Sequence, residues 1–97
     1  MYVDKEAKRI VKHIMKGINE ADSTFKEICQ EYIKHKAITI EKILEAFGNI
    51  KISSINEKTL RFLLETLRVS VNHKNEVSFR TFRQKLYEFA RENDIVS

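Results

Sequence analysis

The chain contains no proline, and its only glycines are Gly17 and Gly48. Sandwiches and barrels of β-strands turn roughly every ten residues on Gly, Pro or Asn-Gly pairs. A 97-residue chain with two glycines lacks that punctuation, so the expected class is all-α. The length predicts one domain over residues 1–97, with a core burying about 60–65% of the unfolded surface. Such a core leaves little space for a deep, dry pocket, which argues against a self-contained enzyme. Cys29 is the single cysteine, so no internal disulfide is expected. No leader pattern or long apolar run is visible, and the expectation is an intracellular, cytoplasmic protein with no membrane span.

Apolar spacing divides the chain into about five helices. Val3, Ala7, Ile10, Val11, Ile14, Met15 and Ile18 recur at helical intervals, with Lys5, Lys8, Arg9, Lys12 and Lys16 opposite them. This makes residues 1–20 a basic amphipathic helix, followed by a helical core over 24–91. Thr24-Phe25-Lys26-Glu27 reads as a capping box opening a second helix that ends near Lys34. Thr39 caps a third, bearing Ile40, Ile43, Leu44 and Phe47, which stops at Gly48-Asn49, residues that tolerate a left-handed helix end. Ser54-Ile55-Asn56-Glu57 looks like a capping box for a fourth, carrying Leu60, Leu63, Leu64 and Leu67. After a polar loop from Val69 to Glu76, Val77-Ser78 is extended, with Ser78 capping a fifth helix that turns Phe79, Phe82, Leu86, Phe89 and Ala90 inward and frays after Arg91.

The net charge of +4 is unevenly spread. Residues 1–16 carry five basic and two acidic side chains, and residues 61–91 seven basic and three acidic. Such asymmetry favours an anionic partner. On the last helix Arg80, Arg83 and Arg91 share a side with Tyr87, an arrangement suited to an acidic groove or to phosphates. With Lys5, Lys8 and Lys12 of the first helix, these are the candidate partner-binding residues. Catalytic chemistry has no motif: Cys29 sits on an apolar face as core filler, and the sequence has neither a phosphate-cradling glycine loop nor a nucleophile elbow. His13, His35 and His73 are far apart and lack metal-ligand spacing, so they read as surface residues. No catalytic residue, cofactor or metal is assigned. Ile50, Ile52, Ile55, Ile95 and Val96 form an apolar surplus that is either core or the interface of a homo-oligomer.

From residue 24 to 90 the order of signals resembles an EF-hand pair, the helix-loop-helix unit of calmodulin and myosin light chains. Ile38 to Leu44 looks like a loop's short β-residue and exiting helix, with Phe25 to Tyr32 as its entering helix. Asn56 to Leu67 looks like the second entering helix, and Asn72 to Phe82 like the second loop and its exit. The resemblance implies two helix-loop-helix units joined by a minimal β bridge between Ile38 and Val77. Calcium chemistry does not carry over, because a calcium loop needs several carboxylates and a terminal Glu. With Val77 at the eighth loop position, ligand positions one, three, five, nine and twelve fall on Ser70, Asn72, Lys74, Ser78 and Thr81, with Asn75 where the family has glycine. In the first loop they fall on Glu31, Ile33, His35, Thr39 and Lys42. The implied function is a calcium-independent, non-enzymatic module that binds a partner helix or protein surface, with Leu60, Leu63, Leu64, Phe79, Phe82 and Leu86 divided between core and groove.

Thr24 to Tyr32, a polar turn and Thr39 to Leu44 also look like the helix-turn-helix of a small phage or plasmid regulator. That resemblance implies nucleic acid as partner, read by Thr39, Glu41 and Lys42. A third reading, a small viral or mobile-element inhibitor of a host protein, fits size and charge.

Overall fold

The computed structural model describes residues 2–21, 27, 36–50, 52 and 55–95. Its elements are α1 (Tyr2–Glu20), β1 (Ala37–Thr39), α2 (Ile40–Asn49), α3 (Glu57–Thr66), β2 (Glu76–Ser78) and α4 (Phe79–Glu92). The molecule is mostly helical, with four helices among the described residues where the periodicity predicts about five. Of the expected second helix only Glu27 is described, and it is helical and exposed, while Cys29 and His35 lie outside the described residues.

The two strands pair antiparallel in the register Ala37↔Ser78, Ile38↔Val77, Thr39↔Glu76. Around the central Ile38–Val77 pair the hydrogen bonding is reciprocal. The amide of Ile40 donates to the carbonyl of Asn75 at 2.9 Å, and that of Phe79 donates to the carbonyl of Lys36 at 3.3 Å. Lys36 and Asn75 each precede the central residue of their strand by two positions, and both are left-handed, at φ 67 and 58. Each strand then hands its chain directly to a helix. Thr39 and Ser78 act as the caps that the sequence predicts, accepting from the amides of Lys42 (3.1 Å) and Thr81 (3.3 Å) and satisfying first-turn donors that have no helical partner.

The core lies where the apolar stripes of the helices meet. Ala7, Ile10, Val11, Ile14, Met15 and Ile18 of α1 are at most 4% exposed, and α1 packs across both α3 and α4. Ile38 and Val77 are buried beneath the strand pair, and no polar or charged side chain is buried among the described residues. Of the apolar surplus, Ile52 and Ile95 are buried and Ile50 and Ile55 are half-buried against the core, while Val96 lies outside the described residues.

Two expected helix ends are placed differently and a third is reached by another route. α2 ends at Asn49, as expected, but Gly48 and Asn49 are themselves helical and no glycine has positive φ, so the stop is not a left-handed one. The helix ends because the amides of Ile50 and Ile52 both bond to the carbonyl of Phe47, at 3.1 and 3.0 Å, as Ile52 drops into the core. The cap of α3 is Asn56 rather than Ser54, its side-chain oxygen accepting from the amide of Thr59 at 2.8 Å. The end of α4 does not fray after Arg91. Asp94 turns left-handed at φ 55 and its amide bonds to Arg91, while the amide of the buried Ile95 reaches the carbonyl of Ala90 at 2.8 Å. This is a Schellman closure. Arg68, at φ 61, closes α3 the same way, with the amide of Val69 on the carbonyl of Leu64 at 2.8 Å.

Candidate interaction surface

The loop between α3 and β2 is closed by its own side chains. Asn72 Oδ1 accepts from the backbone amides of Lys74 and Glu76, both at 2.9 Å, and the Asn72 amide donates to the Glu76 carbonyl at 3.0 Å. The third ligand position of the calcium-loop alignment therefore spends its oxygen on backbone donors. Asn75, at the glycine position, takes the left-handed conformation that an asparagine tolerates, and its Oδ1 accepts from Arg61 Nη2 at 2.9 Å. Lys74 is exposed at position five, and the Ser78 oxygen at position nine caps α4. Among the described residues no group of three or more His, Cys, Asp or Glu is arranged to hold a metal ion, and His13 and His73 are exposed.

The six side chains proposed to be shared between core and groove all belong to the core. Leu60, Leu63, Leu64, Phe82 and Leu86 are fully buried and Phe79 is 8% exposed. The helix α1 packs against α3 and α4, its apolar stripe buried in the same core.

On α4, Arg80, Arg83, Tyr87 and Arg91 do come together. With Gln84 and Glu88 they line a shallow concavity of about 330 Å³. The three arginines are exposed, and none has an ion-pair partner among the described residues. Arg83 Cζ lies 5.8 Å from the centre of the Tyr87 ring, within cation–π range, so the aromatic both orients a guanidinium and offers half-buried apolar area beside it. Sequence reasoning missed Gln84 and Glu88. They complete the series 80, 83, 84, 87, 88, 91, the spacing of one helix stripe, so helical periodicity applied to polar residues would have found them.

On α1, Lys5, Lys8 and Lys12 are exposed and have no ion-pair partner among the described residues. Arg9 is engaged by Glu6 one turn earlier. The Arg9 guanidinium, through its hydrogen bond, holds the Glu6 carboxyl below its ordinary range. The larger concavity, about 550 Å³, lies where the C-terminal ends of α1 and α2 meet, lined by His13, Lys16, Gly17, Glu20, Ala21, Asn49, Ile50 and Ile52. It mixes both signs of charge on exposed side chains, with Gly17 and Ile52 at its floor.

Of the residues assigned to base reading, Thr39 is half-buried in the strand pair with its hydroxyl committed to the cap. Lys42 Nζ lies 3.3 Å from the Glu45 carboxylate, and Glu41 is exposed. The N-terminus of α2 abuts the second loop through the Ile40–Asn75 bond, while Glu41 and Lys42 of its first turn stay exposed.

No helix among the described residues is long and apolar enough to cross a membrane. Comparison with protein-family models, with curated proteins and with solved structures gives no match.

Proposed function

We propose that this chain is a non-enzymatic, calcium-independent protein-interaction module, built as an EF-hand-like pair of helix-loop-helix units, whose docking surface is the basic face of α4. The observation that carries the reading is the grouping of the exposed Arg80, Arg83 and Arg91 around Tyr87, with Glu88 as the one acid lining the same concavity and none of the three arginines in an ion pair among the described residues. Unpaired arginines beside an aromatic suit recognition of carboxylates, because the guanidinium fork binds them in two places and is weakly hydrated. The paired-unit reading is supported by the Ile38–Val77 register, by Lys36 and Asn75 turning left-handed at equivalent loop positions, and by the reciprocal bonds across the bridge. Calcium independence is supported by the closure of the second loop on Asn72.

The test is affinity capture with the full chain and with Arg80→Glu/Arg83→Glu, in nuclease-treated extract, with calcium or with a chelator. The expected result is a protein partner that survives nuclease and chelation and is lost on charge reversal. Material that disappears with nuclease would instead favour the DNA-binding alternative.

A further inference from the structure

We infer that the α4 face takes an acidic helical segment of a protein, one that sets a cation opposite Glu88, and that Glu88 turns nucleic acid away. The inference rests on the reading of α4 as the docking surface and adds the chemistry of the partner. The concavity is lined by α4 residues alone, at 80, 83, 84, 87, 88 and 91. That spacing is a single stripe running about 16 Å along the helix, at roughly 1.5 Å per residue. A stripe of this kind is matched by a second helix lying along it, whose side chains recur at the same intervals.

Charge along the stripe is not uniform. Arg80 and Arg83 stand at one end and Arg91 at the other, with Glu88 between them, half-buried and without an ion-pair partner among the described residues. A nucleic-acid strand carries one phosphate per nucleotide, so any backbone reaching both arginine groups also brings negative charge onto Glu88, which is repulsive. A protein segment can change sign within one turn and place a Lys or Arg there. Electrostatic complementarity of this type selects partners by penalising the wrong one.

Fluorescence titration of the full chain decides the point with three probes. The first is a helical peptide bearing glutamates at i, i+3 and i+11 and a lysine at i+8, made also in the reversed pattern. The second is the same peptide with the lysine replaced by glutamate, and the third is a short DNA duplex. The lysine-bearing peptide in one orientation should bind roughly tenfold tighter than its more acidic sibling, the scale of one charge-assisted contact. Arg80→Glu/Arg91→Glu should abolish that binding, while Glu88→Gln should erase the lysine preference and strengthen DNA binding. If the all-glutamate peptide or the duplex binds best and Glu88→Gln changes nothing, while dependence on the arginines persists, the partner chemistry is wrong and the docking surface stands. If no probe responds to Arg80→Glu/Arg91→Glu, the docking surface falls as well. The arginines are exposed and Glu88→Gln preserves shape, so unchanged melting temperatures identify each loss as one of binding.

Discussion

Replacing Asn72 by alanine removes the atom around which the second loop is built. Its Oδ1 accepts two backbone amides, those of Lys74 and Glu76, each at 2.9 Å, and its Nδ2 donates to the Glu76 carboxylate at 3.2 Å. A net hydrogen bond is worth roughly 0.5–1.5 kcal/mol, and the loop is exposed, so the freed amides recover part of this from water. The two backbone bonds together then contribute about 1–2 kcal/mol. The Glu76 amide opens β2, so the loss also loosens the strand that pairs with β1. A 97-residue chain has an unfolding entropy of about 0.2 kcal/mol/K at roughly 2.1 cal/mol/K per residue, which converts the loss into a fall in Tm of about 5–10 °C. Thermal unfolding followed by circular dichroism measures it. Asn72→Asp keeps the acceptor but sets a second carboxylate against Glu76 in place of the amide donor, so it should fall between Asn72→Ala and the parent protein, and millimolar calcium should not shift the parent. A Tm for Asn72→Ala within about 2 °C of the parent, or a calcium-dependent rise in the parent, would refute the claim that this side chain closes the loop in place of a metal.

Two further perturbations test the backbone. Arg68 is left-handed at φ 61, a conformation costing a non-glycine residue about 1–2 kcal/mol, partly offset by the unfolded-state entropy of glycine. Arg68→Gly should therefore raise stability by about 0.5–1 kcal/mol in urea unfolding while Arg68→Ala does not, and equal effects would contradict the conformational explanation. At Gly17 an added Cβ would lie 2.4 Å from Ile52 Cγ1 and 2.6 Å from Cδ1. Gly17→Ala should gain about 1 kcal/mol of helix propensity yet lose more to overpacking. The double variant with Ile52→Ala should be more stable than the sum of the single changes, and additivity would show that the close approach is unimportant.

The sequence by itself determined the helical class, the inward stripes of α1, α3 and α4, and the caps Thr39 and Ser78. It also pointed to Arg80, Arg83, Tyr87 and Arg91 as one group. These are local or periodic properties, set by the 3.6-residue repeat and by short-range hydrogen bonding, so they are visible without the fold. Where α2 stops was visible, but not how, because its end is made by the amides of Ile50 and the buried Ile52 on the Phe47 carbonyl and not by a left-handed Gly48-Asn49 pair. Nor was it visible that Lys36, Arg68 and Asp94 take the left-handed positions, since tertiary contacts stabilise a strained conformation that propensity disfavours. The division of Leu60, Leu63, Leu64, Phe79, Phe82 and Leu86 between core and groove was decided by α1. An apolar stripe records that a face must be covered and says nothing of what covers it, and here the chain covers its own. That packing leaves Arg80, Arg83 and Arg91 exposed on the outer face of α4.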